Sequence, residues 1–143
     1  MQANVGRPTQ IEFVVSRTLR RLHLRFRRRT RPVASLRCTP DFVLRTQRAC
    51  VFIDGCFWHG CPKHFTLPKA NAEWWAEKIE ANRERDRRQG RELAERSWAV
   101  VRIWEHEVDL RSETLTPPAL RRVEAVAGRS PGARGPRASA SGS

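Results

Sequence analysis

Lysine is almost missing from this chain: of 28 basic residues only Lys63, Lys69 and Lys78 carry an ammonium, and the rest are arginine. Acid is scarce as well, with 15 Asp and Glu, so the formal net charge is +13 and the sequence pI about 11.4. Guanidinium forks match phosphates and base edges, and the imbalance points to a nucleic-acid partner. A coding bias toward arginine explains much of the Arg-to-Lys ratio but little of the net charge. Long apolar runs are also lacking. No segment reaches the length that crosses a bilayer, and the opening Met-Gln-Ala-Asn-Val-Gly-Arg-Pro has no apolar stretch of the signal-peptide kind. The expectation is a cytoplasmic, nucleoid-associated protein. With 143 residues and 39% hydrophobic content there is material for one compact domain and little left for a second. Four cysteines in a reducing compartment argue for thiolates on a metal, or for buried free thiols, ahead of disulfides.

What is present is concentrated in residues 49–65, Ala-Cys-Val-Phe-Ile-Asp-Gly-Cys-Phe-Trp-His-Gly-Cys-Pro-Lys-His-Phe, where an apolar strand runs into an acid, thiols, imidazoles and two adjacent aromatics. Around it the chain alternates elements. Thr9-Gln10-Ile11-Glu12 has the form of a capping box, and Val15, Leu19 and Leu22 follow at helical spacing, which predicts a helix over 10–23 with a basic polar side. Residues 25–37, rich in arginine and broken by Pro32, read as a strand start and then a loop lying on phosphates or merely solvated. Residues 41–45 and 49–54 read as a β-hairpin around a polar turn. With Arg45 facing Cys50, Asp41 would lie opposite Asp54, a like-charge pair that makes most sense around a cation.

Asn71 can cap a long helix through about Arg96, on which Trp75, Ile79, Asn82, Asp86 and Leu93 share one narrow sector. Asp86 on a core-facing stripe needs a partner, either an arginine or a group in the active centre. Residues 98–104 read as a strand of the continuous apolar kind found at the centre of a sheet, delivering Glu105-His106-Glu107. A short amphipathic piece around 120–126 precedes a Gly/Ser/Pro/Arg-rich tail, 128–143, whose composition predicts disorder. Helix, hairpin, helix and strand make an α/β domain over 1–127 with a mixed sheet.

Cys56, Cys61 and His64 are spaced to close on one tetrahedral ion, and His106 is the best candidate for the fourth ligand, with His59 the other histidine in range. A closed Cys2His2 site would be structural, contributing roughly 10 kcal/mol or more of folding free energy. The competing reading is a reduced cysteine pair packed as small apolar groups, which is the reading given to Cys38 and Cys50. If zinc takes His106, His59 is left as an imidazole near Asp41 and Asp54. Carboxylates that hold a divalent cation, with a histidine able to move a proton, are the parts of metal-assisted phosphodiester hydrolysis. Phe57 and Trp58, adjacent on the same loop, could enter a base stack as a wedge.

Pro40-Asp41, the block Val51 to His64, Asn82-Arg83-Glu84-Arg85-Asp86 and Trp104-Glu105-His106 together resemble the very-short-patch repair (Vsr-type) DNA mismatch endonucleases over roughly residues 6–110. The resemblance implies a restriction-endonuclease-like fold with a structural zinc, and a Mg²⁺-dependent nick 5′ to the thymine of a T:G mismatch left by 5-methylcytosine deamination. It implies a monomer on double-stranded DNA, with mismatch-repair proteins as further partners. Carried over by position, it makes Asp41 the main Mg²⁺ ligand, helped by the Ile53 carbonyl, and His59 the general base. Asp54 falls where some members have histidine, Asp86 becomes its partner, and Glu12 matches an acidic residue approaching from the first helix. Phe57, Trp58 and Trp75 match the aromatics that open the duplex, and Cys56, Cys61, His64 and His106 the zinc ligands. The segment before Glu12 is shorter than the DNA-clasping extension of such enzymes, and the usual lysine of restriction-type sites is absent. The competing readings are a zinc-stabilised DNA-binding module without nuclease activity and a restriction-type nuclease of another target. A pure binding module needs neither Asp41 nor His59.

Overall fold

The computed structural model describes residues 9–55 and 67–129. Helix α1 spans Gln10–Arg21 and starts where the capping box predicts. Thr9 Oγ1 accepts from the Glu12 N–H at 3.1 Å, and a Glu12 carboxylate oxygen accepts from the Thr9 N–H at 3.2 Å, so two otherwise orphaned donors are satisfied reciprocally. Its inward face buries Val14, Val15 and Leu19, while Arg20 and Arg21 lie in the last turn, where cations suit the carbonyl end of the helix dipole.

Four strands form one mixed sheet in the order β1-β2-β3-β4: β1 (Arg27–Arg28), β2 (Phe42–Leu44), β3 (Ala49–Asp54) and β4 (Ala99–Trp104). The first three pair antiparallel, and β3 pairs β4 in parallel across the crossover helix α2 (Ala72–Glu95). A short 3₁₀ turn, Glu105–Glu107, leads into the two-stranded ribbon β5 (Val108–Asp109) and β6 (Thr114–Leu115), and α3 (Pro117–Ala127) closes the described chain.

The period-2 alternation of β3 divides the core between the two faces of the sheet. Phe42, Leu44, Ala49 and Val51 point to one side and pack with Val15 and Leu19 of α1 and Ala119 and Val123 of α3. Val43 and Cys50 point to the other and pack with Leu93 of α2, Trp98, Leu36 and Cys38. The expected stripe of α2 faces this second layer: Ile79, Asn82 and Leu93 are buried, and Trp75 and Asp86 are half-buried.

Three expectations need correction. The hairpin register is Leu44 opposite Ala49 and Phe42 opposite Val51, two residues away from the Asp41–Asp54 pairing. The turn holds four residues, Arg45 to Arg48, closed by Arg48 in the left-handed region (φ 53°) and by the Arg48 N–H donating to the Arg45 carbonyl. A slip of two preserves which side chains share a face, so the core alternation is unaffected. Second, among the described residues β4 lies at an end of the sheet, not at its centre. Its apolar run follows from being covered on both faces, by α2 and by α3, as parallel strands require. Third, Asn71 occupies the N-cap position of α2 in a left-handed conformation and makes no side-chain cap bond. Among the described residues no helix is long and apolar enough to cross a membrane.

Candidate active site

The C-terminal ends of β3 and β4 lie side by side, Asp54 opposite Trp104, and the chemistry-bearing residues gather there. Asp41 precedes β2, where the antiparallel ladder ends, and its Oδ2 accepts from the Ile53 N–H at 2.7 Å. The carboxylate therefore takes over the backbone donor that β2 no longer satisfies, which fixes Asp41 against β3 beside the Ile53 peptide. Among the described residues no donor sits on the second oxygen of Asp41. Burial pushes the Asp41 carboxyl above its usual range. The Ile53 N–H opposes that rise, the charges of Glu12 and Asp54 add to it, and Arg29 counteracts it.

Glu12 reaches the same place from α1. Besides capping the helix, its carboxylate accepts from Arg28 Nη2 at 2.6 Å and Arg29 Nη2 at 2.8 Å. Arg29 also donates its backbone N–H to the Asp41 carbonyl at 3.3 Å, from a left-handed conformation (φ 52°). The arginine run is thus divided. Arg28 and Arg29 tie α1 to the start of β2 through Glu12.

Asp54, 5% exposed, projects to the α2 side of the sheet. Arg102 Nη1, from β4, stands 3.0 Å from Asp54 Oδ1 and 3.8 Å from Asp86 Oδ1. The guanidinium also covers the Phe52 ring at 4.3 Å and donates weakly to the Asp86 carbonyl at 3.5 Å. Arginine is therefore one answer to what partners Asp86, and it joins Asp86 to Asp54. Arg102 is a site residue that the sequence motifs do not single out. Its signal was a single cation inside an otherwise apolar six-residue strand, on the face where Asp54 is buried.

His106 lies directly after β4 as expected, its ring parallel to that of Trp104 with centroids 6.3 Å apart. Gly55 packs against Glu105: a Cβ on Gly55 would lie 3.6 Å from the Glu105 carboxyl carbon. Gly55 thus sits against the 3₁₀ turn that contains His106. Cys56, Phe57, Trp58, His59, Cys61 and His64 fall outside the described residues. Among those that are described, no group of three or more His, Cys, Asp or Glu is arranged to hold a metal ion. Trp75 is half-buried and meets Trp74 edge-on, centroids 4.8 Å apart, with Trp74 56% exposed. Cys38 and Cys50 are buried free thiols, and burial raises both, Cys50 to about 12.

Comparison with known proteins shows the family of the chain. The family described as DNA mismatch endonuclease Vsr matches residues 1–65. The DNA mismatch endonuclease Vsr of Escherichia coli (strain K12) is 40% identical over 121 residues, covering 84% of this chain and 75% of that protein. The type II nicking enzyme V.NaeI of Lentzea aerocolonigenes is 39% identical over 109 residues, 75% of this chain and 66% of that protein. V.XorIIP of Xanthomonas oryzae pv. oryzae, another type II nicking enzyme, is 37% identical over 109 residues, 76% of this chain and 78% of that protein. The chain belongs to the Vsr family of DNA mismatch endonucleases.

Proposed function

We propose that this protein is a DNA endonuclease that nicks one strand of duplex DNA 5′ to the thymine of a T:G mismatch, by Mg²⁺-dependent hydrolysis on a restriction-endonuclease-like fold. The observation that carries the reading is the state of Asp41: half-buried, pushed toward protonation by desolvation and by the charges of Glu12 and Asp54, and pinned by one oxygen to the Ile53 N–H. An ionised carboxylate in such surroundings is relieved by a cation, so the residues present fit a divalent ion held by Asp41 and the Ile53 carbonyl. When bound, Mg²⁺ would stabilise the charge that builds on the phosphate oxygens.

The chain's own residues supply the rest. His59 takes the proton of the attacking water, since an imidazole titrates near neutrality and the segment carrying it starts one residue after Gly55, at the end of β3. Asp54 is held by Arg102, and with Asp86 it forms a charged support behind the site instead of a second pair of metal ligands. Glu12, engaged by two arginines, positions the start of β2 and adds negative charge near Asp41.

Zinc on Cys56, Cys61, His64 and His106 would fasten the 56–66 segment to the end of β4 and hold Phe57 and Trp58 as the wedge at the mismatch. The position of His106 beside the turn that receives Gly55 supports this. Trp74 and Trp75, at the first turn of α2, offer further aromatic surface to an opened duplex. The test is nicking of matched and T:G duplexes by the wild-type protein and its Asp41 and His59 variants. A DNA-binding module would hold the mismatch and cut neither.

A further inference from the structure

The arginines that follow α1 do not share one fate. Arg28 and Arg29 are committed to Glu12, and Arg28 also lies over the Phe42 ring at 5.8 Å. Arg25 and Arg27 are exposed, and among the described residues neither has a carboxylate partner. The difference follows from strand alternation, which sends Arg27 and Arg28 to opposite sides of β1.

Arg25 and Arg27 flank a cavity of about 290 Å³ lined also by Phe26, Val43, Arg45 and Thr46. Three guanidinium groups and no carboxylate line it. Arg45 places one nitrogen on the Arg31 carbonyl at 3.2 Å, which orients the group while leaving further N–H donors. Phe26 between Arg25 and Arg27 anchors the wall: its ring meets the Phe42 ring edge-on at 5.1 Å and carries the Arg20 guanidinium at 5.3 Å. Like charges crowded around a hollow repel one another, and an anion relieves that repulsion. A backbone phosphate among the three arginines matches this lining.

The cavity also lies on the hairpin that carries Asp41. Its lining starts at Val43, two residues beyond Asp41, and ends at Thr46, so at about 3.3 Å per strand residue it lies roughly 7–16 Å away. Duplex DNA advances about 3.4 Å per base pair. Resting on the endonuclease reading for that geometry, we propose that this cavity is a backbone subsite. It holds the backbone phosphate of one nucleotide two to five steps from the nicked bond, on the same duplex.

The experiment measures binding of a T:G duplex in Ca²⁺ across a salt series, comparing wild type, the Arg25→Gln/Arg27→Gln double variant, and a charge-matched control, Arg111→Gln/Arg121→Gln, with folding of each checked by thermal melting. Loss of one phosphate contact lowers the slope of log K against log salt by about 1. That drop is expected in the double variant and not in the control. A single uncharged methylphosphonate placed two to five nucleotides from the nick should lower the wild-type slope equally and leave the double variant unaffected. An unchanged slope in the double variant, or an equal fall in the control, overturns the subsite. Because binding is read without cleavage, a wild-type protein that cuts nothing would sink the endonuclease reading and leave the slope comparison to decide the cavity.

Discussion

The guanidinium of Arg102 lies 3.0 Å from the buried carboxylate of Asp54, joining two parallel neighbouring strands just before both end at the candidate active site. Arg102 sits two residues before Trp104, the register partner of Asp54, and its reach to Asp86 brings α2 into the same charged group. Removing one member of such a pair costs more than the pair itself contributes, because the remaining charge stays buried without its partner. Arg102→Ala is expected to lower unfolding free energy by about 3 kcal/mol in urea denaturation. Arg102→Ala/Asp54→Asn should recover part of that loss. Equal stability of wild type and Arg102→Ala would mean that Asp54 is satisfied without it.

Asp41 carries the opposite sign. Its carboxyl is raised above the ordinary value of 3.8, so the folded state holds a proton that the unfolded chain releases. Its ionisation therefore costs stability, beginning near pH 3.8 and complete once pH has passed the raised folded value. Asp41→Asn keeps an oxygen for the Ile53 N–H and removes that cost. It should melt no lower than wild type at pH 7 in EDTA while losing nicking. A clear fall in melting temperature would show the carboxylate to be structural.

Cys38 and Cys50 should behave as core atoms. With Cys50 pushed up to about 12 and both thiols buried, neither forms appreciable thiolate at neutral pH. Peptide mapping after alkylation at pH 7.5 should find both unmodified in folded protein and both modified in guanidinium. Their contribution to stability is intact below about pH 9 and is lost as pH rises above it, for Cys50 through about 12, since the unfolded thiols ionise first. Rapid labelling of native Cys50 would contradict its burial.

The proposed zinc site is tested apart from nicking. Metal analysis of protein purified without chelator should give about one zinc per chain, lost in Cys61→Ser and reduced in His106→Ala. Retention of zinc in both variants would reject the ligand set.

The periodic parts of the fold were legible in the sequence because burial leaves a period. The capping box of α1, the Ile79–Asn82–Leu93 stripe and the two strands of the hairpin all lie where the sequence pattern predicts. The register was not legible, because the turn closes on Arg48 in a left-handed conformation that glycine or asparagine would have signalled and arginine does not. The end position of β4 was hidden for a related reason, since cover on both faces produces the same apolar run as a central place. At the site, Asp41 and Asp54 were recognisable as acids bordering an apolar strand. What each one binds was not, because the partners are a backbone N–H and an arginine distant in sequence. The arginine run shows the limit of composition: six guanidiniums read as one basic loop, whereas two are used internally by Glu12.

The most direct measurement is strand-specific nicking of a duplex with a single T:G mismatch, beside its matched counterpart, in Mg²⁺. The wild-type protein should cut only the thymine strand of the mismatched duplex. Asp41→Asn and His59→Ala should each lose at least about 100-fold in rate while still binding, the range that a general base or an electrostatic group at the site supplies. Equal cutting of matched DNA, or activity that survives both substitutions, would contradict the account.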